Sequence, residues 1–339
     1  MSSLEVSAAL GALVVAVAGQ RGADVERLLA ITGFDPKGAT DADARIPLDL
    51  EHALWGNAAE LARDDAFGVH AAELVKPGMF DVLDYAVRTA PTLRQSLERL
   101  VRYNRLVHDA AVWSLVPREG VLRVEHTFSV EGIVQDRHAA EFTLSSIVTI
   151  GAQIASMPIR PLAVGFRHAK PASREAQAEL TRMFGVEPQF LQPMNYIELD
   201  GELVGRENPK ADPALSRLIE RHAETLLAAR PEPTLSTRER VQHVLAITLG
   251  EGEAALADVA RKLKMSERSL QRRLADEGVT FDALLDKVRR DLALRYLADP
   301  KIAVAEVAFL LGYSEPSPFH RAFKRWTGKT PSEMRKRAA

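Results

Sequence analysis

The 339-residue chain contains no cysteine. That excludes a disulfide scaffold, a thiol nucleophile, a zinc finger and a cysteine-ligated iron–sulfur cluster, and it fits a reducing compartment. Long apolar runs are missing as well. The longest, Ala8–Gly19, has about twelve residues, well short of the roughly 20 that cross a bilayer. Its Ala16-Val17-Ala18 mimics a signal-peptidase site, but no Lys or Arg precedes it, and a secretory signal needs a positive start. The run therefore reads as an apolar N-terminal helix, and the protein is expected in the cytoplasm with no membrane partner. Catalytic patterns are absent too: no G-x-S-x-G, no phosphate-cradling P-loop, no H-E-x-x-H and no dinucleotide glycine fingerprint. The histidines are scattered, and none pairs with carboxylates at metal spacing. His138 and Glu141 form an i, i+3 pair of a kind usually found on surfaces. No enzyme activity, cofactor or metal site is expected.

What is present is an ordinary globular composition, 46% hydrophobic and 27% charged, long enough for two domains. The net charge of −2 hides an asymmetry: residues 231–339 carry +5, and the rest of the chain −7. A basic tail behind an acidic front is a weak pointer to nucleic acid.

The period of the apolar residues changes along the front half. Leu50, Ala53, Leu54, Ala58 and Leu61 make a helical stripe. Pro91-Thr92 opens a helix with Leu93, Leu97, Leu100, Val101 and Leu106 on its inner side. Ala111–Val116 and Val121–Phe128 read as strands of a hairpin turning at Pro117–Gly120. His138–Ser156 reads as a long helix, and Leu162–Arg167 and Tyr196–Leu199 as further strands. The expected fold is an α+β domain over 1–205, a linker with a bridging helix over 206–233, and an all-α domain over 234–339. The helix Pro213–Ala229 bridges the halves, and the Pro-rich stretch from Ala229 to Thr234 marks the hinge. Ser236 and Glu239 then form a capping box.

The rear half repeats itself. Ala257–Ser266 matches Ala305–Ser314 at an offset of 48: Ala260 with Ala308, Leu263 with Leu311, Ser266 with Ser314. One extra residue in the second unit continues the match, Leu270 with Phe319 and Leu274 with Phe323. Each unit reads as a short helix, a tight turn and a second helix capped by its serine, the helix-turn-helix plan. Gly312 suits the left-handed turn position, where the first unit has Lys264. Pro316 and Pro318 fall in the first turn of their helix. With Leu270, Leu274, Phe319, Phe323 and Trp326 assigned to the core, Arg268, Ser269, Gln271, Arg272 and Arg273 face outward in the first unit. Ser317, His320, Arg321, Lys324 and Arg325 do so in the second. Arg and Gln at such positions read base edges in the major groove, and the other basic groups meet phosphates. One such face could be an ordinary solvated surface; two in tandem argue for DNA.

The last hundred residues resemble the tandem helix-turn-helix domain of the AraC/XylS family of bacterial transcription regulators. The residues that carry this are Arg289, Ala293, Tyr296 and Leu297 in the connecting helix, then Val304–Ser314, Phe319–Lys324 and Gly328–Arg335. Lys264 and Pro318 depart from the family pattern. In the front half, Phe67–His70, Lys76–Val87, Pro91–Leu93, Leu100–Val107 and the Phe190 to Asn195 stretch resemble the arabinose-binding-like N-terminal effector domain of one branch. The resemblance implies a DNA-binding regulator, activator or repressor, with a double-stranded operator and RNA polymerase as partners. It also implies a homodimer and a small-molecule effector; branch members respond to amino-acid-derived or fatty-acid-like molecules. Tyr103, Asn104, His108, Trp113 and His126 are the candidates for an effector pocket, weighed against a plain role at the core edge. Two other readings stay open: a front domain that only dimerises, or an enzyme fused to a DNA-binding tail.

Overall fold

The computed structural model describes residues 4–41, 43–130, 133, 135–233, 235–251, 253–298 and 302–338. A short strand, β1 (Glu5–Ser7), ends in a serine that caps α1 (Ala8–Gln20) by accepting the Ala9 N–H. α1 is the apolar run of the sequence, and it is buried along most of its length, as an almost wholly apolar helix must be. α2 (Val25–Thr32) follows, and β2 (Arg45–Pro47) pairs antiparallel with β1. Then come α3 (Leu48–Ala62), α4 (Phe67–Glu73), α5 (Asp81–Arg88) and α6 (Leu93–Tyr103), the last capped by Thr92. No helix among the described residues is long and apolar enough to cross a membrane.

The buried face of α3 is Leu48, Glu51, Leu54, Trp55, Ala58 and Ala59, rotated from the stripe expected from the sequence. Trp55 has the largest side chain to hide, and its indole N–H bonds Glu51 one turn earlier, drawing a carboxyl into the core. Leu50 and Leu61 are left at the margin. On α6, Leu93 and Leu97 face inward as expected, whereas Val101 is exposed.

The main sheet begins with the hairpin β3 (Ala111–Arg118) and β4 (Val121–Phe128). α7 (Arg137–Ala155), β5 (Ala163–Gly165), α8 (Arg174–Phe184), β6 (Asn195–Asp200), α9 (Gly201–Gly205) and α10 (Pro213–Ala229) complete the front half. The strands lie in the order β3-β4-β6-β5, all antiparallel. Trp113 is opposite His126, and His126 is opposite Asn195, which puts the three side chains in a row on one face.

α7 is the spine of this half. Ala139 and Phe142 join the core built by α1, α3 and α4. Leu144, Ile147 and Val148 pack on Leu122, Val124, Ile197 and Leu199 of the sheet. α4 crosses α7 so closely that a Cβ on Gly68 would lie 2.1 Å from the His138 carbonyl oxygen, which accounts for the glycine of Phe67–His70. Because α7 is covered on both sides, His138 and Glu141 are buried, not on the surface as expected. Arg137 pairs with Glu141 at 3.0 Å, and burial still pushes the Glu141 carboxyl up to about 8.

The rear half is entirely helical: α11 (Thr237–Thr248), α12 (Leu256–Lys262), α13 (Glu267–Asp276), α14 (Phe281–Ala298), α15 (Val304–Leu310), α16 (Pro316–Thr327) and α17 (Pro331–Ala338). The Ser236–Glu239 capping box is formed. Glu277 strengthens it by accepting the Thr237 and Arg238 N–H groups, both at 2.9 Å. Of the hinge, Arg230 pairs with Asp109 at 2.9 Å and Glu232 with Arg105 at 2.6 Å, so this stretch is tied to the front half. Thr234 lies outside the described residues.

Candidate nucleic-acid interface and internal cavity

The two repeats fold into units with the same turn. In each, the first helix ends with two backbone bonds: Lys264 N–H to Arg261 and Met265 N–H to Ala260, at 3.0 and 2.9 Å. The second unit repeats them from Gly312 to Phe309 and from Tyr313 to Ala308, at 2.9 and 3.0 Å. Both turn residues are left-handed, Lys264 at φ +55° and Gly312 at φ +73°. Ala260 and Ala308 are buried where the helices cross. α14, 18 residues and about 27 Å long, ties the units together. Its Arg289 donates to the Leu311 carbonyl at 3.1 Å and lies over the Tyr313 ring, pinning the second turn.

Leu270 and Leu274 of α13, and Phe319 and Phe323 of α16, form one core with α11 and α14. The polar residues of these helices are what remains outside. On α13, Arg268, Gln271, Arg272 and Arg273 are exposed, while Ser269 is half-buried with its hydroxyl bonded to the Ser266 cap at 2.9 Å. On α16, Ser317, Arg321, Lys324 and Arg325 are exposed and His320 is half-buried. Arg325 is paired with Asp286 of α14 at 2.8 Å, so its guanidinium is partly committed within the protein. Trp326 is half-buried against the core.

The caps of the two reading helices differ. Ser266 caps α13 by accepting the Ser269 N–H at 3.2 Å. Ser314 does not cap α16; Glu315 holds that position and makes no side-chain cap bond. The extra residue of the second unit moves the cap by one, and Pro316 and Pro318 remove two of the first three N–H groups a cap would serve.

The front half holds a partly open cavity of about 140 Å³ between α3, α5, α6, α7 and the sheet. Its wall is chiefly apolar, with Trp55, Phe142, Ile147 and Trp113 among the lining residues. Asn104, His108, Trp113 and His126 all line it. Tyr103 does not: it faces α10, where its hydroxyl donates to Glu224 at 2.6 Å beside Ala223. Adjacent residues at a helix end point about 100° apart, which sends Tyr103 and Asn104 to opposite surroundings.

The polar groups here are held in place by their neighbours. Trp113 Nε1 donates to Asn104 Oδ1 at 3.1 Å, and its ring lies 4.6 Å from that of His126. His108 Nδ1 accepts the N–H groups of Ala110 and Ala111, at 3.2 and 3.1 Å. Burial holds both imidazoles neutral: His126 falls to about 3, and His108 lies well below its ordinary value, with His126 adding to the depression. Glu51, which sequence reasoning passed over, also lines the cavity; burial lifts its carboxyl to about 8. Its only sequence signal is Trp55 four residues on.

A second hollow of about 220 Å³ lies between Thr127, Arg167, His168 and Asn195 of the front half and Asp291 and Leu294 of α14. Gln135 borders both spaces.

Residues 22–208 match the arabinose-binding domain of AraC transcription regulators, N-terminal, and residues 259–337 match a helix-turn-helix domain. The ornithine utilization regulator of Pseudomonas aeruginosa is 31% identical over 292 residues, covering 85% of this chain and 83% of that protein. The HTH-type transcriptional regulator VirS of Mycobacterium tuberculosis is 32% identical over 286 residues, covering 83% of this chain and 82% of its own. Among solved structures, the transcriptional regulator CdpR of Pseudomonas aeruginosa aligns with 92% of this chain and 96% of its own, at 23% identity and a TM-score of 0.43. The relatives and matched domains are regulators of transcription, not enzymes.

Proposed function

We propose that this chain, which belongs to the AraC family of DNA-binding transcription regulators, binds its operator under the control of a small molecule held in the front domain. The observation that carries the reading is the concave, mostly apolar cavity with a few placed polar groups, the common form of a small-molecule site. It lies one side chain, Gln135, from the hollow against α14, the helix that joins the two reading units. On this reading the division is 1–205 for effector and dimer contact, 206–233 for the link and 234–339 for DNA. Arg268, Gln271, Arg272, His320 and Arg321 are the base readers. Arg273, Ser317 and Lys324 meet phosphates, while Ser269 serves the cap and Arg325 is shared with Asp286. Two chains pair on a double operator site, and RNA polymerase is the downstream partner.

The test is a thermal-shift screen of the full chain against small metabolites, followed by titration of operator DNA with and without each hit. A hit that changes DNA affinity at least severalfold supports the reading. If every ligand that stabilises the front domain leaves DNA affinity unchanged, the effector role is lost.

A further inference from the structure

The chemistry of the cavity wall narrows what can bind there; this step rests on the cavity being a ligand site. Among the described residues no Lys or Arg lines it. Most of its polar groups are already used by the protein. Asp84 accepts from Arg88 at 2.7 Å, and Ser96 donates to the Val87 carbonyl at 2.8 Å. Asn104 spends its amide on the carbonyls of His108 and Ala111 and its oxygen on Trp113. Thr143 donates to Ala139 at 2.7 Å, and Gln135 accepts from Asn195 at 3.1 Å.

Four groups are left over. The Ser146 hydroxyl and Glu51 Oε2 are buried and have no hydrogen-bond partner among the described residues. The other two are the Nε2 atoms of His108 and His126. His108 uses Nδ1 to accept two backbone N–H groups, so its proton sits on Nε2. His126 is fixed the same way. Asn195 Oδ1 accepts the Arg167 N–H at 2.9 Å, which turns its NH₂ toward His126 Nδ1, 3.5 Å away. That ring also carries its proton on Nε2. The two imidazoles flank Phe128, with ring centroids 5.4 and 5.9 Å from it. With the buried Glu51 carboxyl also protonated near neutral pH, the unused groups are all able to donate, and none carries positive charge.

We infer that the cavity takes an uncharged, largely apolar molecule, about the size of one aromatic ring, with a carbonyl-type oxygen that accepts from the imidazole N–H groups of His108 and His126. The volume is near that of the roughly 150 Å³ apolar cavity known to hold benzene. A carboxylate would be buried with no cation to pair with it, which is costly. An ammonium would face two N–H donors.

The experiment uses the full chain and four probes that share one ring: acetophenone, benzoate, benzylammonium and toluene. Binding is measured by calorimetry on wild type, His108→Leu and His126→Leu. Acetophenone should bind about tenfold tighter than toluene to wild type, and each variant should shrink that ratio while still binding toluene, which shows that the cavity persists. Tighter binding of benzoate or benzylammonium, equal binding of acetophenone and toluene, or no binding of any probe overturns the inference. Titrating operator DNA with acetophenone present tests the effector role separately: a bound ketone that leaves DNA affinity unchanged refutes that role and leaves the ligand class standing.

Discussion

The two turns of the rear half share one geometry but differ in residue and surroundings, so substitutions there should act in opposite directions. Lys264 has a left-handed backbone and an exposed side chain. An L-residue in that region carries about 1–2 kcal/mol of strain that glycine lacks. Lys264→Gly relieves it, while the greater freedom of glycine in the unfolded chain takes back about 0.4–1 kcal/mol. The net is a stabilisation of about 0.5–1 kcal/mol. Gly312 is also left-handed, but a Cβ there would lie 2.6 Å from the Leu249 carbonyl oxygen, a backbone atom that cannot swing aside. Gly312→Ala therefore adds backbone strain to a clash of the overpacking kind, worth about 1–3 kcal/mol. A loss of about 2–3 kcal/mol is expected after the unfolded-state gain of alanine. Hydrogen-exchange mass spectrometry on the full chain reads this locally, in peptides covering α12–α13 and α15–α16. Slower exchange around α12 for Lys264→Gly and much faster exchange around α15 for Gly312→Ala are expected. Shifts of the same sign, or a Gly312→Ala effect below about 0.5 kcal/mol, would refute the strain argument.

Arg272→Ala and Arg321→Ala should each weaken operator binding by about 1–3 kcal/mol and relax preference at one base position, whereas Lys324→Ala should weaken all sequences alike and reduce the salt slope by about one unit; equal losses on specific and random DNA for all three would reverse the assignment. One chain should protect two adjacent half-sites about one helical turn apart, since α14 is comparable in length to the ~34 Å turn of DNA, and a footprint covering a single half-site contradicts this. Stability should peak near pH 6.5. Glu51 and Glu141 stay protonated in the fold up to about 8, but ionise near 4.5 when unfolded, so they oppose folding increasingly as pH rises between those values. His126 and His138, lowered to about 3, and His52 and His168, lowered to about 4, stay neutral in the fold; the unfolded chain protonates them below 6.5, so stability falls as pH drops from there. Between 4.5 and 6.5 the four imidazoles outweigh the two carboxyls, at about 1.4 kcal/mol per pH unit for each net proton. A melting temperature still climbing from pH 6.5 to 8.5 would contradict the burial of these groups.

Features set by neighbours in sequence were legible in the residues alone. The Ser236–Glu239 box, the β3–β4 hairpin and the turn within each repeated unit depend on spacings of a few residues, and each is formed. The cavity depends on distant contacts instead. Glu51, Asn104, His126, Gln135 and Ser146 meet there from five separate stretches of chain. Glu51 would ordinarily be placed on a helix surface; only the indole of Trp55 draws it inward. Tyr103 is as aromatic and as buried as a pocket residue should be, yet α10 supplies Glu224, 121 residues on, and takes it to the other side. Ser314 fails as a cap because one inserted residue and two prolines act together, which residue type by itself does not reveal.

On the proposed reading, the contact between the halves sets how strongly cavity occupancy can reach DNA. Beyond the hinge, Arg238 pairs with Asp49 at 2.9 Å, and the Leu4 N–H donates to Glu239 at 3.4 Å. Asp49 is half-exposed, and such a pair contributes at most about 1 kcal/mol. Such a docking is shifted only by a ligand whose affinities for two arrangements differ; a ligand that binds both equally shifts nothing. The difference must arise where the cavity wall and the docking share atoms. Asn195 is that place: its amide spans His126 and Gln135, and its strand position faces the hollow against Asp291 and Leu294 of α14. If the cavity is the effector site, an acceptor that draws His126 toward it should pull on Asn195 and, through Gln135, on the wall of the hollow beside α14. On that reading acetophenone should change operator affinity and toluene should not, though both stabilise the front domain; equal effects of the two on DNA binding would refute this route.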